Sequence, residues 1–166
     1  MNSNLTMDFS INKGNHTITV KREFAAILSL VWKAFTTSEI LDQWWAPKPW
    51  KAKTKAMDFT EGGQWLYAMI GPNGEEHGSF SKYLSIKNEE EFTATDGFSD
   101  ADGNIINEMP QSKWKVNFSS LEKNTLVNIE ITFNDLAQLE STIEMGFKEG
   151  FTMGLSNLDV YLASQK

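Results

Sequence analysis

The stretch Asp135–Ser164, DLAQLESTIEMGFKEGFTMGLSNLDVYLAS, decides the reading of this chain. Leu136, Leu139, Ile143, Phe147, Phe151, Leu155, Leu158 and Leu162 recur in it at spacings of three and four. That is the period of one buried stripe on an amphipathic helix, so the spacing predicts a single long helix. Gly146, Gly150 and Gly154 stand four residues apart within it. Each costs a helix roughly 1 kcal/mol relative to alanine. Three at this spacing imply that something opposite needs room: a closely packed sheet, or a pocket. Lys148 and Glu149 lie between them, so the likeness to a membrane-helix packing motif is superficial.

Upstream of this stretch the pattern is mostly that of strands. His16–Phe24 alternates, with Ile18, Val20 and Arg22 on one side and Thr17, Thr19 and Lys21 on the other. Residues 1–14 are polar and mixed, and read as a frayed tail or a poorly formed first strand. Ala25–Phe35 switches to helical period. A second short helix over Glu39–Trp45 follows a Thr36-Thr37-Ser38 break and ends at Pro47 and Pro49. About six strands then follow: 52–59, Gln64–Ile70, His77–Ile86, Glu91–Phe98, Ser112–Leu121 and Thr125–Phe133. Turns such as Gly71-Pro72-Asn73-Gly74 separate them. The order is a strand, two short helices, a run of antiparallel strands and a closing helix. It predicts an α+β domain spanning residues 1–166. A curved antiparallel sheet of about six to seven strands needs a cover for its apolar face, and the C-terminal helix is the element long enough to supply it.

Composition narrows the function classes. The formal net charge of −7 argues against a nucleic-acid partner and against docking on anionic membranes. No cysteine is present, which excludes disulfides, thiolate metal sites and cysteine nucleophiles. No apolar run approaches the roughly 20 residues of a membrane span. The N-terminus lacks the basic-then-apolar order of a signal peptide, so a cytoplasmic location is the default expectation.

Three stretches carry a family likeness: Val31–Pro47 (VWKAFTTSEILDQWWAP), Phe59–Ile86 (FTEGGQWLYAMIGPNGEEHGSFSKYLSI) and Gly146–Leu162 (GFKEGFTMGLSNLDVYL). Their order and content resemble the activator-of-Hsp90-ATPase-homologue-like family of the START-like (SRPBCC) superfamily, across nearly all of Thr17–Leu162. The resemblance implies a helix-grip fold, with a sheet and a long helix enclosing a cavity for apolar small molecules. A few relatives in the wider superfamily catalyse cyclisation or hydrolysis in that cavity. The family name also implies a co-chaperone or stress-response role, although the further chaperone-binding domain of the eukaryotic activator has no counterpart in this chain.

The candidate chemistry is sparse. No nucleophile elbow, P-loop or dinucleotide motif occurs. His16 and His77 are far apart in sequence and read as exposed, and no third ligand can be placed for a metal. Neither a metal nor a cofactor is implied. The aromatic set is the strongest signal, and it reads either as core packing or as the lining of a pocket. Trp45, Trp50, Trp65, Tyr67, Met69, Phe80, Phe98, Met109 and Trp114 occupy plausible inward positions. Phe147, Phe151 and Met153 are placed to face them from the helix, with Asn157 as a polar contact. Asp96 shares parity with Phe92 and Phe98. It is then either a buried carboxylate needing Lys82 or Arg22 as partner, or a residue twisted to the rim. Asp96 and His77 are therefore the candidate polar groups of the cavity. Binding of an apolar ligand by a monomer or homodimer is the leading expectation. An enzyme of cyclase or hydrolase kind, using Asp96 or His77, is the alternative; no catalytic residue is assigned.

Overall fold

The computed structural model describes residues 5–165. Eight strands form one antiparallel sheet in the order β1-β2-β8-β7-β6-β5-β4-β3. They are β1 Met7–Asn12, β2 Thr17–Phe24, β3 Lys51–Met57, β4 Gln64–Ile70, β5 Glu76–Lys87, β6 Glu91–Ser99, β7 Ser112–Leu121 and β8 Asn124–Phe133. Helices α1 (Leu28–Thr36) and α2 (Ser38–Trp44) carry the chain from β2 to the far edge at β3, and α3 (Leu136–Glu144) and α4 (Phe147–Ala163) follow β8. This is the expected α+β helix-grip arrangement: a curved sheet closed by the C-terminal helical segment.

One expectation is completed by the structure and one needs correction. The strand count is eight because Met7–Asn12, read as a frayed tail or weak strand, pairs with β2 from Met7 opposite Arg22 to Asn12 opposite Thr17. Residues 1–4 of that segment lie outside the described residues. The closing helix is also not continuous. Asp135 caps α3 by accepting the Gln138 N–H at 2.8 Å. The helix then stops at Met145, and Gly146 adopts a left-handed φ of 86° before α4 begins. An L side chain at that dihedral is strained, whereas glycine is not.

The apolar stripe survives the break. Leu139, Phe151, Leu155, Leu158 and Leu162 are buried, while Leu136, Ile143 and Phe147 pack at the margin of the core. They meet Ile18, Val20, Val116, Ile129 and Ile131 from the inner face of the sheet. Arg22 is also inward and mostly buried. It pairs with Asp159 of α4, tying β2 to the helix, and its guanidinium lies 4.9 Å from the centre of the Phe24 ring. Its charge is thereby matched by an acid, as a buried cation requires.

The three helix glycines do three different things. Gly146 makes the break. At Gly150 an added Cβ would lie 3.5 Å from Pro47, ordinary contact distance. At Gly154 it would lie 3.1 Å from the Trp45 carbonyl oxygen and 3.3 Å from that of Trp44, so here the glycine permits close approach of α4 to the end of α2. Among the described residues no helix is long and apolar enough to cross a membrane.

Candidate functional site

The upper end of the sheet and the α3–α4 junction do not close on each other. They leave a concavity of about 250 Å³, partly open to solvent. Its walls follow from strand parity. Tyr67 and Met69 of β4, His77 and Ser79 of β5, Asp96 and Phe98 of β6, Ser112 and Trp114 of β7, and Ile131 and Phe133 of β8 all point into it. Thr142, Met145, Gly146, Phe147, Gly150 and Phe151 line it from the helices; Trp45, Pro47 and Pro110 complete it from loops. The helix break thus lies on the pocket wall, where a continuous α-helix would run differently.

The aromatic side chains lock one another. Trp45 donates its indole N–H to the Tyr67 hydroxyl at 3.0 Å, and Trp114 donates to the Ser112 hydroxyl at 3.0 Å. Trp45 meets Trp65 and Phe151 edge-on at 5.5 and 5.8 Å between ring centres, and Phe147 stacks on Phe151 at 5.2 Å. Indole donors satisfied in this way need nothing more from a ligand. The rings therefore present apolar faces and edges, and the polar chemistry comes from elsewhere.

It comes from a row across the strands. Register sets Tyr67 opposite Ser79, Ser81 opposite Asp96, and Asp96 opposite Ser112. The Ser81 hydroxyl donates to Asp96 Oδ1 at 2.8 Å. The other oxygen, Oδ2, accepts nothing from the described residues. Asp96 sits deep among protein atoms, yet it is only half-buried because it lines the pocket. Loss of bulk hydration pushes its carboxyl up to about 7, with the Ser81 bond pulling the other way. Burial likewise raises the hydroxyls of Tyr67 and Tyr83, reinforced by the nearby Asp96 charge, so both stay protonated. A second void of about 30 Å³ lies against Asp96, bounded by Ser81, Tyr83 and Trp65 among others. Among the described residues, no group of three or more His, Asp or Glu side chains is arranged to hold a metal.

A family model described as "Activator of Hsp90 ATPase homolog 1-like protein" matches residues 25–163. The chain belongs to that family. Solved structures share the family's architecture along almost the whole chain. A Mycobacterium smegmatis protein is 26% identical with a TM-score of 0.87, covering 95% of this chain and 96% of its own. An Arthrobacter aurescens protein is 27% identical with a TM-score of 0.90, covering 95% and 91%. One from Staphylococcus epidermidis is 25% identical with a TM-score of 0.83, covering 95% of each. No curated protein matches.

Within this family member, the expected site residues divide. Trp45, Tyr67, Met69, His77, Asp96, Phe98, Trp114, Phe147 and Phe151 line the pocket. Trp65 lies one layer below, stacked on Tyr67 at 3.8 Å and lining the smaller void. Trp50 stands at the rim, its ring 5.4 Å from that of His77. Met109 borders a separate depression of about 380 Å³ that also touches His77 and Phe98.

Phe80, Met153 and Asn157 do not line the pocket. Phe80 is buried on the opposite face, its ring lying over Gly97, where an added Cβ would come within 2.7 Å. A bulge between Tyr83 and Ser85 is the cause. It reverses side-chain direction, so Ile86 points inward while Phe80 points outward. Met153 is exposed on the outer side of α4. Asn157 turns to α2, donating to the carbonyls of Ala46 at 3.0 Å and Trp44 at 3.4 Å. Nor do the proposed partners of Asp96 reach it: Lys82 is exposed on the outer face and Arg22 is held by Asp159. Sequence reasoning missed Ser79, Ser81 and Ser112. Ser79 and Ser81 alternate with Phe80 and Lys82, and the bulge in β5 puts the serines on the inner face; Ser112 shares parity with the inward Trp114 on β7.

Proposed function

We propose that this protein binds an apolar small molecule in the pocket, with one polar group of the ligand meeting Asp96, and that the chain acts as a single START-like domain in the cytoplasm. One observation carries the reading. An aromatic-walled concavity contains a carboxyl group that has one serine partner, a free oxygen and no cation. A few polar groups within an apolar, concave lining are what small-molecule sites share. An unneutralised carboxyl deep in protein costs stability, and such cost is commonly retained where a site needs it. At about 250 Å³ the pocket is a little below the ~300–1,000 Å³ of typical ligand sites, which favours a small ligand. Native mass spectrometry of the protein purified from its own cells tests this. The expected result is a retained small molecule, released when the chain is unfolded. A bare chain mass, together with tryptophan fluorescence indifferent to small apolar compounds, would count against it.

One observation favours a second reading, an enzyme of cyclase or hydrolase kind. The Asp96 carboxyl, held near 7, is in the range where a general acid or base works best at neutral pH. Incubating the recovered molecule with fresh protein separates the two. Unchanged ligand supports binding alone; conversion that is lost in Asp96→Asn supports catalysis.

A further inference from the structure

We infer that the pocket is built for a small ligand carrying a protonated nitrogen next to its apolar body; this rests on the binding reading above and specifies its ligand. The argument begins with what faces Asp96. No lysine or arginine is among the residues lining the pocket. Lys82, next to Ser81 in sequence, points to the outer face, and Arg22 is paired with Asp159. The Tyr67 and Tyr83 hydroxyls, from β4 and β5, stay protonated and neutral. His77, also on β5, is exposed at the mouth against Trp50. The pocket-lining residues of β7, β8, α3 and α4 include no titratable group. A carboxylate has thus been placed in an aromatic recess without a counter-charge from the protein.

The ligand that answers both features is an ammonium. It supplies the missing positive charge and the hydrogen bond that Oδ2 lacks. It also suits the rings of Trp45, Trp114, Phe147 and Phe151, whose faces attract cations. An alcohol satisfies only the hydrogen bond. An anionic ligand is repelled by Asp96 and by the chain's net charge of −7.

The preference has a predictable pH dependence. Protonation of Asp96 below neutrality removes the attracting charge. Affinity for an ammonium should therefore rise between pH 5.5 and pH 8, while affinity for a neutral isostere should not. Phenethylamine and 2-phenylethanol form a suitable pair, with equal numbers of heavy atoms and an ammonium in place of a hydroxyl. Titrated by calorimetry and tryptophan fluorescence, phenethylamine should bind on the order of tenfold more tightly at pH 8. That advantage should shrink toward parity at pH 5.5. In Asp96→Asn the advantage of the amine over the alcohol should vanish at pH 8. Parity at pH 8 in the unaltered protein, or an undiminished advantage in the variant, overturns the inference. Binding of the alcohol without an amine preference leaves the pocket reading standing while this one falls. If neither compound binds, both fail. Should the variant not fold, the pH series on the unaltered protein decides the matter alone.

Discussion

Replacing Asp96 with asparagine should make the protein more stable, increasingly so as pH rises. In the folded chain the carboxyl is held near 7; an unfolded chain returns it to about 3.8. The folded state therefore binds the proton more tightly. Between about pH 4 and pH 7 unfolding releases a proton, so stability falls as pH rises through this window. The span is about three pH units at roughly 1.4 kcal/mol each, or about 4 kcal/mol. Because Asp96 faces the open pocket, water screens part of this, and about 2–4 kcal/mol is the expected range. Asparagine keeps an oxygen to accept the Ser81 hydroxyl but never ionises, so the variant escapes the loss. Its advantage over the unaltered protein should widen by about 2–4 kcal/mol from pH 4 to pH 8. Glu23, Glu39 and Asp100, whose carboxyls hydrogen bonds hold below their ordinary range, are common to both proteins and cancel in the difference. Urea unfolding followed by tryptophan fluorescence at a series of pH values measures the gap. A gap that stays constant, or narrows with rising pH, would refute the claim that an unpaired carboxyl sits in this pocket.

The helix glycines and Asn157 offer sharper separations of binding from stability. Gly150→Leu places its Cβ at ordinary distance from Pro47 and sends the remaining side chain into the pocket. It should abolish binding of small apolar probes while changing stability by less than about 1 kcal/mol, as judged by parallel titration and urea unfolding. Gly154→Val should lose about 1–3 kcal/mol in the same unfolding assay, because its Cβ meets the backbone carbonyls of Trp44 and Trp45, which cannot turn aside. Asn157→Ala should lose about 1–2 kcal/mol through two unpaired carbonyls, yet probe affinity should be unaltered because the side chain does not reach the pocket.

Much of the fold was legible because burial patterns depend on periods that survive local irregularity. The stripe from Leu136 to Leu162 identified the covering element even though that element is two helices. The break was hidden because a glycine inside a helix and a glycine ending one look alike in sequence. Gly146 is distinguished from Gly150 and Gly154 only by its dihedral, which nothing in the spacing reveals. Strand faces were legible where the pleat ran uninterrupted, as in β4, β6, β7 and β8. In β5 one extra residue near Leu84 reversed the alternation. An unbroken alternation through β5 puts Phe80 on the same side as Ile86 and turns Ser79 and Ser81 outward, the reverse of what the bulge produces.

The site was legible to a similar depth. Asp96 could be singled out because a charged residue sharing parity with Phe92 and Phe98 conflicts with its surroundings. Its partner could not, since that depended on the register of β5 against β6, set by the same bulge. Met153 lies on the exposed side of α4, and Asn157 was misjudged because that helix has more than one packed side. α4 is packed on two sides, by the sheet through Phe151 and Leu155 and by α2 through Gly154 and Asn157, so burial alone does not mean facing the pocket. Loop residues such as Pro47 and Pro110 carry no periodicity, so only the folded chain brings them to the wall.

The most direct test of the account is nitrogen-detected NMR of the six tryptophan indole N–H groups during titration with phenethylamine at pH 8. Trp45 and Trp114 line the pocket, whereas Trp32 packs among Phe59, Phe92 and Phe118 away from it. The account predicts saturable shifts of the Trp45 and Trp114 signals with Trp32 unmoved, and their loss in Gly150→Leu. Signals that stay fixed throughout, or that drift together without saturating, would contradict it.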